Sequence, residues 1–324
     1  MHRRVGFCLF VAVLPLLFQP TPATAAGQSN KASESPGSGQ DETLPRFNAQ
    51  TTLVLIPVIV TDSLNRFVLG LRKDDFHLFE DGTEQKIVHI SGEDAPLSIG
   101  LVFDTSGSMG DKLRTSRQAA LRFLTTMNPE DEAFLVQFND HAQLAVDFTN
   151  QAGAIEDSLT AIQPGGLTAM LDASELALRQ MKKAKNPRKA ILIISDGGDN
   201  SSKYTSSQIE ALVREADVQV YAMGIYEPVL FPALTKEEVT GPRLLSELAE
   251  QTGGRAFSAT DPSDLPNVAV RIGIELRNQY VLAYTPKNQN KDGKYRRVEV
   301  KVNSADGVSN LKVHWRLGYY AASE

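Results

Sequence analysis

The spacing of apolar residues changes twice along the 324-residue chain, and these changes define its organisation. Between residues 95 and 277, short continuous apolar runs alternate with longer stretches that have a helical spacing. Continuous runs are typical of strands buried on both faces of a helix-covered sheet. The predicted strands are 97–103, 133–138, 142–148, 190–195, 218–225 and 256–258, and the predicted helices are 110–127, 151–162, 169–183, 206–217, 242–252 and 262–278. The pattern predicts an α/β domain with a doubly wound, mostly parallel sheet and helices on both faces.

The flanking segments, 44–94 and 278–324, have the two-residue alternation of half-buried β-strands. In the first segment, the predicted strands are 51–61, 76–80 and 85–90, with a hairpin turn at Asp81-Gly82 and Pro57 at an edge or a bulge. In the second, they are 280–285 and a hairpin made by 297–302 and 311–317. Neither segment alone supplies a dependable core, whereas together they have about six strands. We therefore predict one discontinuous β-sandwich that the α/β domain interrupts, and two separate β units are the alternative.

The first 25 residues have the order of a secretory signal. Two arginines precede the apolar run 5–18, and an A-x-A cleavage pattern follows at 23–25. An uncleaved anchor is the alternative, but Pro15 interrupts a run that is short for a bilayer span of about 20 residues. The protein is thus expected to be secreted or periplasmic, with no integral membrane span after cleavage. Cys8, the only cysteine, lies in this signal, so the mature chain forms no disulfide.

Composition and net charge indicate a linker near the N-terminus and limit the kinds of molecule that the protein is expected to bind. Residues 26–43 lack apolar side chains that can start a core, which predicts a disordered linker. The chain has a net charge of −6, and removal of the signal takes away two arginines and leaves it more acidic. An acidic exported protein is a poor candidate for binding nucleic acid.

The most informative chemistry follows the first predicted strand of the α/β domain. That strand ends on Asp104, and Ser106 and Ser108 follow at alternate positions before a predicted helix. Open α/β sheets bind ligands at the carboxyl ends of their strands. Carboxylate and hydroxyl oxygens suit magnesium, manganese or calcium better than zinc. Two more pieces complete the candidate site, namely Thr168 after a glycine pair and Asp196 at the end of a second apolar strand.

These three pieces, in this order, resemble the von Willebrand factor type A family over roughly residues 95–277. The D-x-S-x-S element matches Asp104, Ser106 and Ser108, while Thr168 and Asp196 match the later threonine and aspartate of the family. The resemblance implies a metal-ion-dependent adhesion site, in which the hydroxyls approach Mg²⁺ (or Mn²⁺ or Ca²⁺) and the two carboxylates act mainly through waters. It also implies a non-enzymatic role in cell adhesion or assembly. The expected partner is a protein that offers an Asp or Glu side chain to the ion.

Other interpretations stay open. An Asp-Thr-Ser loop also caps helices without any metal. A magnesium-dependent phosphotransfer enzyme would have a similar outline but wants a second acid two residues after Asp104, where this chain has Ser106. A structural module with an unused metal site is the third possibility. By resemblance to integrin β subunits, Asp111 is a candidate ligand for a second cation, although a helix-start acid is the simpler interpretation. Asp199 and Asn200 are interpreted as turn residues.

The connection 226–242 is unusually long and contains three prolines and several apolar residues. It follows a predicted strand of the same sheet, so it is expected to rise beside the metal loops. Long connections in compact domains are often functional. Leu230 and Phe231 are therefore candidate partner contacts, and packing of the same residues against the following helix is the alternative.

Overall fold

The computed structural model describes residues 53–92, 95–225, 236–259, 261–303 and 310–323. The strands are β1 (Val54–Thr61), β2 (Phe76–Glu80), β3 (Thr83–Gln85), β4 (Ile87–Ser91), β5 (Leu97–Asp104), β6 (Glu132–Phe138), β7 (Ala142–Thr149), β8 (Arg188–Ser195), β9 (Gln219–Ile225), β10 (Ala256–Ala259), β11 (Tyr280–Tyr284), β12 (Tyr295–Val302), β13 (Lys312–Trp315) and β14 (Gly318–Tyr320). The helices are α1 (Leu113–Leu124), α2 (Ala152–Ala161), α3 (Met170–Met181), α4 (Ser206–Glu215), α5 (Lys236–Gln251) and α6 (Leu265–Arg277). The predicted signal 1–25, the predicted linker 26–43 and the start of the segment 44–94 lie outside the described residues.

The central sheet has six strands in the order β10-β9-β8-β5-β6-β7. All its pairings are parallel except the one between β6 and β7. Every residue of β5 is buried, because helices cover both of its faces. Phe123 of α1 and Ile272 of α6 share one core with Phe103, whereas Leu178 of α3 and Val213 of α4 pack with the strands of the other face. The α/β fold class with a doubly wound, mostly parallel sheet is confirmed.

The strands that flank this domain in sequence form two antiparallel sheets, β13-β1-β11-β4 and β14-β12-β2-β3. Strand β1 pairs with β11 and β13, and β2 pairs with β12, so each sheet combines strands from before and after the α/β domain. The two sheets share one apolar core, which includes Ile56, Leu78, Tyr284 and Val298. Its buried polar centre is Glu80, which accepts hydrogen bonds from the hydroxyls of Tyr284 and Tyr319, both at 2.7 Å.

Two strand pairings differ from the prediction. The predicted hairpin of 297–302 with 311–317 is wrong, because β12 pairs with β14 and β2, whereas β13 pairs with β1 in the other sheet. Alternation specifies which face of a strand is buried but not which strand lies beside it. The predicted strand 85–90 is divided in the same way, between β3 in one sheet and β4 in the other. The turn at Asp81-Gly82 does join β2 to β3, with φ of +48° and +78°.

Helix α5 begins at Lys236 and continues through Pro242, so the prediction of a helix start at 242 is wrong. Proline removes one backbone donor from a helix but does not always end it. Pro57 lies on the part of β1 that pairs with β11 and precedes the pairing with β13, so it has a local edge position as predicted. None of the helices in the described part of the chain is long and apolar enough to cross a membrane.

The β-sandwich contacts the α/β domain at the amino ends of the parallel strands. Arg316, after β13, places Nη1 2.8 Å from Oδ1 of Asp217, just before β9. Its other nitrogen donates to the carbonyl of Ala216 at 3.1 Å. Arg188, the first residue of β8, donates to the carbonyl of Leu276 and to the side chain of Gln279 next to β11. These contacts leave the carboxyl ends of the same strands on the opposite edge.

Candidate functional site

Asp104 is the last residue of β5, and its side chain is fully buried at the carboxyl edge of the central sheet. One carboxylate oxygen, Oδ1, accepts a hydrogen bond from the backbone N–H of Ser106 at 2.9 Å. The other, Oδ2, accepts one from the hydroxyl of Ser195 at 2.6 Å. Ser195 ends β8, which neighbours β5 in the sheet, so the parallel pairing itself brings this hydroxyl to Asp104. Ser195 is not among the predicted site residues, although its position one residue before Asp196 was a usable signal.

Ser106 and Ser108 lie on the short 3-10 turn that leads from β5 towards α1. Their hydroxyl oxygens are 3.1 Å apart, and Ser106 is buried while Ser108 is exposed. Adjacent ligands of an octahedral Mg²⁺, with bonds of about 2.0–2.1 Å, are about 3 Å apart. The observed spacing of the two hydroxyls therefore fits two neighbouring ligand positions around such an ion.

The loop that carries Thr168 is bonded directly to the serine loop. The N–H of Gly107 donates to the carbonyl of Gly166 at 3.0 Å, and the N–H of Gly165 donates to the carbonyl of Thr105 at 2.9 Å. A Cβ added at Gly107 would lie 3.3 Å from that Gly166 oxygen, a tight contact that glycine avoids. Thr168 itself is buried next to these contacts.

The loop that follows Asp196 is hydrogen-bonded to the loop that carries Thr168. Asn200 accepts a hydrogen bond from the N–H of Thr168 at 2.8 Å and donates its own N–H to the Thr168 carbonyl at 3.0 Å. Asp199 accepts bonds from the N–H of Leu171 at 2.9 Å and from the hydroxyl of Ser202 at 2.6 Å. Asp199 and Asn200 are thus more than turn residues, because they fix the third loop against the second. The loops bearing Asp104, Thr168 and Asp196 meet at one edge.

Asp196 forms an ion pair with a lysine that sequence analysis did not single out. The ammonium of Lys112, the residue before α1, lies 3.2 Å from Oδ2 of Asp196. Both side chains are only 14% exposed, so the pair is largely shielded from water. The signal available in the sequence was the position of Lys112 four residues after Ser108, close to the predicted helix start.

The pKa of Asp104 is raised to about 6, mainly by burial and to a smaller extent by the negative charge of Asp196. The hydrogen bonds from Ser106 and Ser195 lower this pKa but do not offset the burial. Burial also raises the pKa of Asp199. Asp104 and Asp196 are two carboxylates in a site that is largely shielded from water, and their charges favour a bound cation. The hydroxyls and carboxylates present are the hard oxygen donors that Mg²⁺, Mn²⁺ or Ca²⁺ prefers, so the residues fit such an ion.

Helix α5 packs directly on the loop that follows Asp196. Gly197 has φ +83°, and a Cβ added at Gly241 would lie only 2.3 Å from the Gly197 carbonyl oxygen. This contact places the start of α5 at the same edge as the three loops. Leu230 and Phe231, the candidate partner contacts, lie outside the described residues.

Two other features bear on the choice of metal. Asp111 is exposed just before α1, and its assignment to a second cation remains a prediction. Among the described residues, no group of three or more His, Cys, Asp or Glu side chains is placed to hold a metal. The candidate site combines two carboxylates with hydroxyls instead.

Residues 99–198 match a family model described as the von Willebrand factor type A domain. The chain therefore contains a von Willebrand factor type A domain. The matched stretch contains all five candidate ligands, Asp104, Ser106, Ser108, Thr168 and Asp196.

Among similar proteins, an uncharacterized protein of Borreliella burgdorferi is 25% identical over 200 residues, covering 55% of this chain and 58% of the relative. Inter-alpha-trypsin inhibitor heavy chain H4 of Bos taurus is 27% identical over 134 residues, covering 37% of this chain and 15% of the relative. The match thus spans less than two thirds of either relative. A solved von Willebrand factor type A structure from Catenulispora acidiphila has a TM-score of 0.50 at 13% identity, covering 85% of this chain and 75% of that one. That likeness shows a shared fold alone.

Proposed function

We propose that this protein is an exported, non-enzymatic binding protein of the adhesion or assembly type. Its von Willebrand factor type A domain engages an Asp or Glu side chain of a partner protein through a divalent cation. The ligands are Asp104, Ser106, Ser108, Thr168 and Asp196. The observation that carries this proposal is the meeting of three loops around two serine hydroxyls 3.1 Å apart and a buried carboxylate. Export rests on the signal-like residues 1–25.

Each side chain has a distinct role in this proposal. Ser106 and Ser108 offer neutral oxygens, so they hold a cation without cancelling its charge. Asp104 and Asp196 supply the balancing negative charge from the buried side. Ser108 is exposed, which leaves this side of the site open to a partner. When bound, Mg²⁺, Mn²⁺ or Ca²⁺ supplies an electrophilic position that a carboxylate oxygen can fill.

The same geometry disfavours phosphotransfer through Asp104. A nucleophilic carboxylate must reach the phosphorus atom, yet the side chain of Asp104 is fully buried and both of its oxygens accept hydrogen bonds. A phosphotransfer enzyme of this kind would have a carboxylic acid two positions after the nucleophile. This chain has Ser106 there, and a serine hydroxyl cannot act as the general acid. Binding is therefore the better supported function of this site.

Calorimetric titration of the protein with MgCl₂, MnCl₂ and CaCl₂ tests the proposal. We expect saturable binding of one divalent ion, and loss of that binding in Asp104→Ala with the circular dichroism spectrum unchanged. Glu215→Ala is the matched control, because it removes an exposed acid at the end of α4, outside the three loops of the site. Undiminished binding in Asp104→Ala would reject the assigned site, and absence of binding by the unaltered protein would leave a structural module as the function.

A second experiment tests partner capture. The immobilised mature protein should retain a partner in Mg²⁺ and release it in chelator, whereas Asp104→Ala should retain nothing in either buffer. Blocking carboxyl groups of the captured partner by amidation should prevent its return. An aryl phosphatase assay with Mg²⁺ covers the alternative, and turnover that disappears in Asp104→Ala would favour the enzyme.

A further inference from the structure

The ion pair between Lys112 and Asp196 differs from an ordinary surface pair. Exposed pairs contribute little, because water screens both charges. Here both side chains are only 14% exposed, so the pair is largely shielded from water and Asp196 compensates the charge of the ammonium. The position of Lys112 is also fixed by the backbone, since its carbonyl accepts bonds from the N–H of Ser116 at 3.0 Å and from the Ser116 hydroxyl at 2.8 Å.

We propose that Lys112 is a built-in cation that shares Asp196 with the divalent ion, weakens the binding of that ion and raises its attraction for a partner carboxylate. This inference rests on the proposed function. Lys112 is a positioning residue, because it acts on the ion through Asp196 and through its charge.

The charges of the site support this role. Asp104 and Asp196 are the two carboxylates assigned to the ion, and the ammonium of Lys112 lies beside Asp196. A divalent ion then gives these three side chains together one net positive charge, which the carboxylate of a partner can neutralise. Without the lysine, the ion and its two carboxylates would already balance, and a partner carboxylate would bring an uncompensated negative charge into a partly buried place. Charges at such places interact more strongly than they do in water.

Three variants separate this role from simple packing. Lys112→Gln removes the charge, Lys112→Arg keeps it, and Arg114→Gln removes an exposed positive charge two residues away on α1. We expect Lys112→Gln to bind Mg²⁺ about tenfold more tightly by calorimetry, because a repulsive charge is removed. We expect its melting temperature to fall in chelator, because the carboxylates lose their counter-ion. Lys112→Arg and Arg114→Gln should stay near the unaltered protein in both measurements.

Acetate serves as the probe for the partner carboxylate. With Mn²⁺ saturating, the enhanced relaxation of water protons falls as acetate displaces water from the ion. We expect Lys112→Gln to need about tenfold more acetate than the unaltered protein or Lys112→Arg for the same fall.

The outcomes are distinguishable. A purely structural lysine would lower both the melting temperature and the Mg²⁺ affinity when it is replaced, so equal or weaker Mg²⁺ binding in Lys112→Gln would overturn the inference. An unchanged acetate requirement would overturn the part that concerns the partner carboxylate. If the unaltered protein binds no divalent ion, the proposed function fails and this role of Lys112 fails with it. If the unaltered protein and Lys112→Gln both bind the divalent ion with the same affinity, the role of Lys112 is overturned while the proposed function stands.

Discussion

The replacement Asp104→Asn is expected to stabilise the metal-free protein at neutral pH, although it removes the central carboxylate of the site. Asparagine has nearly the same shape and keeps an oxygen that can accept the N–H of Ser106. Its amide group replaces the oxygen that accepts the hydroxyl of Ser195, and that hydroxyl can turn and act as the acceptor. The substitution therefore removes a buried charge while both hydrogen-bonding neighbours keep a partner.

The size of the effect follows from the pKa of Asp104. Burial raises that pKa from its ordinary value of 3.8 to about 6. The difference corresponds to about 3 kcal/mol that the ionised carboxylate costs the folded state at pH 7 or above. Because the folded-state pKa is raised, this cost is fully present above about pH 6, declines as the pH falls, and is absent below the unfolded value near 3.8. For a domain of this size, about 3 kcal/mol corresponds to about 6–12 °C in melting temperature.

The assay is thermal unfolding of both proteins in chelator between pH 4 and pH 8. The difference in melting temperature between the two proteins reports on Asp104, because all other titrating groups are common to both. Asp104→Asn should melt higher at pH 7.5, and the difference should vanish near pH 4. Mg²⁺ at 100 times its dissociation constant should stabilise only the unaltered protein, by about 2.7 kcal/mol, and so reduce or cancel that advantage. A lower melting temperature for Asp104→Asn in chelator at pH 7.5 would refute the reasoning that the carboxylate is held there at an energetic cost.

Three further predictions address the loops and the sandwich. Ser106→Ala should weaken Mg²⁺ binding about tenfold in calorimetry, because a neutral ligand is lost while both carboxylates remain; unchanged affinity would remove Ser106 from the ligand set. Gly241→Ala should lower both the melting temperature and the Mg²⁺ affinity, because its Cβ would lie 2.3 Å from the Gly197 carbonyl beside Asp196, and an unaffected variant would show that α5 does not support that loop. Truncation after Asn278 should remove hydrogen-exchange protection from β1, because β1 pairs with β11 and β13; retained protection would show that the N-terminal strands fold independently.

Much of the α/β domain could be predicted from the sequence because its strands are buried on both faces. Such strands are continuous apolar runs, as β5 and β8 are, and they leave little choice about which segments form the sheet. Asp104 and Asp196 were identifiable because parallel strands carry their carboxyl ends to one edge. Ser106, Ser108 and Thr168 were assigned to the site through the resemblance to the von Willebrand factor type A family. The structure brings the loops that carry these residues together through backbone hydrogen bonds.

The rest depended on contacts that no local pattern encodes. The neighbours of β12 and β13 follow from packing between two sheets, and alternation alone fits several pairings. Ser195 became part of the site because of its register beside β5. Lys112 looked like an ordinary helix-start residue, because a charged side chain gives no sign in the sequence of whether its ammonium faces water or a carboxylate 84 positions away. These features were missed for the same reason: each depends on a partner distant in sequence.

The β-sandwich and the candidate metal site lie at opposite edges of the central sheet. A domain inserted between two halves of another must begin and end on the side that faces its host. Arg316 bonds the sandwich to Asp217, just before β9, and Arg188 at the start of β8 bonds Gln279, the residue before β11. In a parallel sheet the carboxyl ends lie on the opposite edge, where Asp104 and Asp196 end their strands or begin their loops. The connection to the host and the candidate binding edge therefore lie on opposite edges of the central sheet, separated by the length of a strand.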